Sequence, residues 1–281
     1  MRHQILIPTD FSDNAWSAAL YAIKLYADEP CTFYFSHAWT FLNSGSRTHI
    51  SPSYIEPLKE KSKLQLAELK KQAQMASTND GHEFEIIFSL GSLMESIEFA
   101  IKKHKIDLVV MGTKGATGAK KFLLGSNTVT VIKKVRLCPL MLVPNNCEFA
   151  VPDQIAFPTD FNRFYGEELR PIKQLAGLHD STINILHVNG KTNLSDTQNA
   201  NLGMLKDYLE DYKHSFNWMP NYDTKAHAIT DFIETNKSNI LTMINYEHSF
   251  IENVTKEPII KKMGFQSKIP FLVIPRVEKP L

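Results

Sequence analysis

Short apolar runs rich in β-branched and aromatic residues alternate along this chain with longer stretches whose apolar residues recur every three or four positions. In the first half, the runs at 4–8, 31–38, 83–89, 107–111 and 140–143 predict strands. Ala15, Ala18, Ala19, Ala22 and Ile23 share one face of a helix predicted over 14–27, with Ser12 or Asp13 as its cap. A second helix is predicted over 54–76, where the charges of 59–71 form a solvated face. A third opens on Ser92-Leu-Met-Glu95, a pattern in which serine and glutamate satisfy each other's free backbone donors. A fourth covers 126–135. Strands separated by helix-length periodicities are the signature of a parallel sheet with crossover helices.

The pattern then repeats. Ile5-Leu-Ile-Pro-Thr-Asp-Phe11 is answered by Ile155-Ala-Phe-Pro-Thr-Asp-Phe161, and Ser36-His37-Ala38 by Leu186-His187-Val188, both at an offset of 150. Cys138-Pro-Leu-Met-Leu-Val-Pro144 matches Ile269-Pro-Phe-Leu-Val-Ile-Pro275 at an offset of 131, so the second copy is the shorter. Three matches in one order point to duplication. Second-copy strands are expected at 154–158, 182–188, 223–228, 239–244 and 271–274, with the polar stretch 190–201 as a loop and a helix from Leu202. Two domains follow, 1–146 and 151–281, as a length of 281 residues also suggests.

Composition narrows the class. With 43% hydrophobic and 22% charged residues the chain can build ordinary cores throughout. A net charge of +1 lacks the footprint of a dedicated nucleic-acid binder. The first apolar run is interrupted by Pro8 and Asp10, and no later one approaches the length of a membrane span, so neither a signal peptide nor a span is read. Cys31, Cys138 and Cys147 form no CxxC pair and leave an odd count, which points away from a disulfide framework or zinc module and toward a reducing cytoplasm.

Of 12 glycines, Gly112, Gly115, Gly118 and Gly125 fall between the end of a predicted strand and the start of a predicted helix. That is the carboxyl edge of a parallel sheet, where ligands bind. Gly112 and Gly115 are read as permitting positive φ and close backbone approach. Gly125 leaves the first amides of the next helix open to an anion, with Ser126, Asn127 and Thr128 as added donors. No carboxylate occurs between Asp107 and Glu148, whereas Lys114, Lys120, Lys121, Lys133, Lys134 and Arg136 do, which suits a phosphate. The spacing is neither GxxxxGK[ST] nor GxGxxG. A plain glycine-rich turn before a basic helix face is the alternative.

The order G-x2-G-x9-G-S-N resembles the ATP-binding signature of the universal stress protein family. So do the strand ending in Pro8-Thr9-Asp10, His37-Ala38 closing the second strand, and the final Pro139-Leu-Met-Leu-Val-Pro144. The resemblance covers nearly all of the first copy and, more weakly, the second. It implies an α/β fold of two tandem open, mostly parallel five-stranded sheets flanked by helices, adenine nucleotide alpha hydrolase-like, with strand order 3-2-1-4-5. It also implies ATP or AMP, with or without Mg²⁺, bound in the first domain by Pro8, Thr9, Asp10, Ala38, Met111, Gly112, Gly115, Gly125, Ser126 and Asn127. For Asp10 a cap on the following helix is an equal reading. Such proteins dimerise through their last strand. The apolar segments 139–144 and 270–275 therefore suggest an intramolecular pseudo-dimer, with a homodimer of the whole chain as a further candidate association.

The second copy breaks the site. Ile244 stands where Gly112 would align and Glu247 where Gly115 would, and no Gly-Ser pair follows. A branched side chain obstructs backbone approach and a carboxylate repels phosphate, so no nucleotide is expected there, and 246–252 reads as a filled former site. His37 and His187, at equivalent strand ends, read as hydrogen-bonded structural residues, and Cys138 as a packed thiol. The resulting expectation is a nucleotide-responsive stress regulator with no catalytic constellation. The alternatives are a slow ATPase or phosphoryl-transfer enzyme, for which Asp10 is the local carboxylate, and a non-nucleotide scaffold or small-ligand carrier.

Overall fold

The computed structural model describes residues 2–40, 52–113, 125–145, 147–188, 193–219, 222, 224–245 and 268–276. The chain divides into two compact units, Met1–Phe149 and Ala150–Leu281.

The first unit is built on strands β1 (His3–Pro8), β2 (Cys31–Trp39), β3 (Glu83–Leu90), β4 (Leu108–Gly112) and β5 (Leu140–Val143). They pair in parallel in the order β3-β2-β1-β4-β5, with Ile5 opposite Phe33 on one side and Leu108 on the other. Helices α1 (Asp13–Leu25), α2 (Pro52–Ala76), α3 (Leu93–His104) and α4 (Ser126–Lys134) make the crossovers. Ile5, Leu6 and Ile7 are all fully buried. A central parallel strand covered on both faces has no polar side to alternate with, which is why β1 reads as an unbroken apolar run. In α2 the buried positions are Ser62, Leu66, Leu69 and Ala73, one stripe at helical spacing, and the lysines of 59–71 lie off it. Ser12, one of the two expected caps, is the residue that caps α1, its hydroxyl accepting from the Ala15 amide at 3.3 Å.

Burial has a chemical consequence for the thiols. It pushes Cys31 and Cys138 up to about 12, so neither carries thiolate at neutral pH. Cys147 is partly exposed. Timed alkylation of the native protein, read by mass spectrometry, is expected to label Cys147 first and the other two only on unfolding. Early labelling of Cys138 would contradict its reading as a packed thiol.

The second unit repeats the order. Strands β6 (Gln154–Pro158), β7 (Thr182–Val188), β8 (His214–Met219), β9 (Ile240–Asn245) and β10 (Phe271–Pro275) pair in parallel as β8-β7-β6-β9-β10. A 3-10 turn, Gly166–Leu169, precedes α5 (Arg170–His179), and α6 (Asp196–Tyr208) and α7 (Lys225–Thr235) follow.

Two expectations are corrected here. The third strand of this unit is 214–219, not 223–228: residues 224–228 instead open α7, where Thr224 caps the helix and Ala226, Ile229 and Phe232 are buried at helical spacing. In His214-Ser-Phe-Asn-Trp-Met219 the apolar residues alternate with polar ones, so the strand lacks the continuous run that marks its neighbours. Helix α6 begins at Asp196, inside the stretch expected to be loop. Ser195 and Gln198 form a capping box that starts it despite the polar composition. Among the described residues no helix is long and apolar enough to cross a membrane.

Candidate functional site

At the carboxyl ends of β1, β2 and β4 lies a cleft of about 640 Å³, within the range of small-molecule sites. Pro8, Thr9, Asp10, Ala38, Met111, Gly112, Gly125, Ser126 and Asn127 all line it. Gly115, together with Lys114, Lys120 and Lys121, lies outside the described residues. Thr128, read from the sequence as an added donor, and Lys134, one of the cations read as suiting a phosphate, line it too, as do His37, Trp39, Ser92 and Met94, which sequence reasoning had not placed among its ligand contacts. The sequence did place His37 near the end of the second predicted strand, 31–38, and Ser92 at the start of a helix.

The turn after β1 is built by its own side chains. Thr9 Oγ1 accepts from the Phe11 amide at 3.0 Å, and Asp10 Oδ1 accepts from both the Ser12 amide at 3.1 Å and the Ser12 hydroxyl at 2.6 Å. Asp10 thus steadies the cap of α1 without being the cap itself. Phe11 takes a left-handed φ of 64° and lays its ring against His37, centroids 4.6 Å apart. A bulky residue held at positive φ is strained, and the close hydrogen bonding around it supplies the compensation. His37 Nδ1 donates to the Thr9 carbonyl at 2.8 Å.

The same device recurs in the second unit. Phe161 has φ 56°, its amide donates to Thr159 Oγ1 at 3.1 Å, and His187 Nδ1 donates to the Thr159 carbonyl at 2.9 Å. Pro-Thr-Asp-Phe is therefore first a folding motif, and its threonine and aspartate would be needed with or without a ligand.

Gly112 does not adopt the positive φ expected of it, but its bare backbone does permit a close approach. Positive φ among the described glycines belongs to Gly91 and Gly166, not to Gly112. A Cβ on Gly112 would lie 2.6 Å from Asn14 Oδ1 and 2.9 Å from the Asn14 carbonyl oxygen. The missing side chain lets the start of α1 pack directly on the end of β4. In the second unit Ile244 is buried at the aligned position, and helical structure begins only at Gly166.

Three helices begin near the cleft, and they differ at their first turns. Ser12 caps α1, and Ser92 with Glu95 caps α3. These bonds from Ser92 hold the Glu95 carboxyl below its usual range. At α4 the N-cap is Gly125, with no side-chain cap, and among the described residues no side-chain acceptor meets its first amides. The Gly125 amide donates to the Thr113 carbonyl at 2.8 Å, and Thr128 Oγ1 reaches the Gly112 carbonyl at 3.3 Å, which fastens this helix end to β4. Asp10 is the one carboxylate among the described residues lining the cleft, and Lys134 brings a positive charge. Among the described residues no three His, Cys, Asp or Glu side chains converge to hold a metal ion.

The corresponding strand ends of the second unit are covered by side chains. Tyr165 and Thr159 hydrogen-bond through their hydroxyls at 3.0 Å, Gln198 Nε2 donates to the Asp160 carbonyl and Asn201 Nδ2 to that of Phe161, both at 2.8 Å. Arg163 pairs with buried Glu168. Residues 246–267, including the aligned Glu247, lie outside the described residues.

The sequence model described as the universal stress protein family matches residues 1–144. The chain belongs to that family. It is 36% identical over 146 residues to universal stress protein MJ0531 of Methanocaldococcus jannaschii, an alignment covering 50% of this chain and 81% of that protein. Against universal stress protein YxiE of Bacillus subtilis it is 22% identical over 148 residues, 51% of this chain and 99% of that one. A solved universal stress protein from Archaeoglobus fulgidus superposes with a TM-score of 0.74 at 18% identity, covering 98% of this chain and 97% of its own, a likeness of fold that extends through both halves.

Proposed function

We propose that the first unit binds an adenine nucleotide, ATP or AMP, in the cleft above β1 and β4, and that the chain acts as a nucleotide-responsive stress regulator. The observation that carries this reading is the contrast between helix starts: α1 and α3 are capped by side chains, while α4 opens uncapped onto the cleft beside Ser126 and Asn127. Unshared amides at a helix N-terminus, with Lys134 on the wall and a single carboxylate in reach, suit phosphate. The base lies toward Ala38, and Gly115 belongs to the phosphate side. Mg²⁺ would accompany ATP through its phosphates, since the wall supplies no carboxylate cluster.

In this reading the second unit carries no nucleotide and serves as a pseudo-dimer partner through the apolar last strands β5 and β10, while three free thiols fit a cytoplasmic setting. Turnover is not part of it. Hydrolysis needs a group that orients water, and the one carboxylate at hand, Asp10, is engaged at Oδ1 by Ser12.

Titration calorimetry of the full chain with ATP and AMP, with and without Mg²⁺, is expected to give one site per chain. Gly115→Glu is expected to abolish it. Equal affinity in both proteins would remove the site assignment, and ADP accumulating during long incubation with ATP would restore the enzymatic reading.

A further inference from the structure

A groove of about 260 Å³ lies between the start of α1 and the second half of α2. Its walls include two aromatic residues, Phe11 and Trp16, two carboxylates, Asp13 and Glu68, and two amides, Gln65 and Gln72. No lysine, arginine or histidine is among the described residues that line it. Among the described residues neither carboxylate has an ion-pair partner or a donor, and neither amide has a hydrogen bond. Helix geometry accounts for one of the two acids and not for the other. Asp13 stands in the first turn of α1, where a helix favours negative charge without any ligand. Glu68 is an exposed residue inside α2, on one strip with Gln65 and Gln72 at spacings of three and four.

The second unit shows the same region filled from within. Arg163 occupies the position that aligns with Asp13 at the offset of 150. Its guanidinium lies over the Tyr165 ring, 5.2 Å from the centroid, and pairs with the buried carboxylate of Glu168. From α6, Gln198 and Asn201 donate to the carbonyls of Asp160 and Phe161, which ties that helix to the turn after β6. In the first unit no described residue donates to the Phe11 carbonyl, and the glutamines of α2 make no such bond. One copy carries its own cation and its own donors. The other presents aromatic residues and acceptors alone.

We infer that this groove receives a guanidinium group from outside the unit, the head of an arginine side chain on a partner protein. A guanidinium stacks its face on an aromatic ring while its five N–H donors point outward in the plane, so rings, amides and carboxylates are satisfied together. An ammonium brings the charge without the flat face or the fork. An anion would meet two carboxylates and no cation. The volume suits one side-chain head, since it lies below the roughly 300–1,000 Å³ of small-molecule sites.

The probes are N-acetyl-arginine amide, its neutral isostere N-acetyl-citrulline amide, and agmatine, each titrated into the full chain without nucleotide. The reporter is the indole N–H resonance of Trp16, assigned by its loss in Trp16→Phe. Blocked arginine is expected to move it with a Kd on the order of millimolar, and citrulline to bind about tenfold more weakly or worse. Glu68→Gln, a change at an exposed helix position, is expected to weaken arginine and bring the two probes within about threefold of each other. Agmatine bound no more tightly than blocked arginine supports a protein side chain as the source. Agmatine tighter by about tenfold identifies a free diamine and overturns the partner protein. Equal binding of arginine and citrulline, arginine binding unaffected by Glu68→Gln, or a Trp16 signal still unmoved at about 20 mM arginine overturns the guanidinium site itself. None of these results touches the nucleotide site.

Discussion

Gly112→Ala is expected to destabilise the first unit by roughly 1–3 kcal/mol, the usual cost of forcing an extra carbon into close packing. At this size that corresponds to a fall in Tm of about 2–4 °C per kcal/mol. The new methyl would meet Asn14 at three atoms, Oδ1 at 2.6 Å, Cγ at 2.7 Å and the main-chain oxygen at 2.9 Å. Two of these belong to the side chain and one to the backbone of α1, which cannot turn away. A double variant with Asn14→Ala therefore recovers part of the loss, with a coupling of the kind found between residues in contact. Thermal unfolding of the four proteins of this cycle, without ligand, is the measurement. A Gly112→Ala protein as stable as wild type would show that the start of α1 yields, and the glycine would then have to be explained by its ligand alone.

This prediction bears on what could be read from the sequence. The spacing of apolar residues located all five strands of the first unit, because a parallel strand buried on both faces has little choice but to be apolar throughout. The capping box at Ser92 and the cap at Ser12 were equally visible, since both rest on contacts within four residues. What failed was local chemistry without hydrophobic contrast. Strand β8 presents alternating Ser215, Phe216, Asn217 and Trp218, and α6 starts in a polar stretch whose only signal was Ser195 three residues before Gln198.

At the site, nine of the named residues line one cleft, and several of them also make contacts within the fold. Gly112 makes room for Asn14, a residue 98 positions away, and no spacing rule reports that contact. Thr9 and Asp10 spend hydrogen-bonding capacity on the turn itself, which their recurrence as Thr159 and Asp160 in a unit with a covered strand edge makes plain. His37 was read as structural because a lone histidine on an apolar strand usually is. Its ring does bind the backbone, as that of His187 does.

Gly125→Asp is expected to separate stability from ligand binding more sharply than any change in the glycine motif that also perturbs packing. Gly125 has φ −60° and ψ 151°, an extended conformation that any residue adopts, at the N-cap of α4. Aspartate is among the best residues there, because its carboxylate accepts from the first amides and meets the positive end of the helix dipole. The unliganded protein is therefore expected to be as stable as wild type, or more stable by a few tenths of a kcal/mol.

The same carboxylate occupies the donors assigned to phosphate and adds a like charge beside it, a combination costing several kcal/mol. ATP affinity is expected to fall by about a hundredfold or more, while adenosine, which carries no phosphate, binds within a few-fold of wild type. Gly125→Asn supplies the control: it caps equally well without charge, so a loss of ATP affinity much smaller than that of the aspartate variant assigns the effect to electrostatics rather than to occupied space. Calorimetric titration of all three proteins with ATP and adenosine decides it. Should the aspartate variant bind ATP as tightly as wild type, the phosphates lie elsewhere than at α4. Should it lose ATP and adenosine alike, the change has altered the shape of the cleft and not its charge.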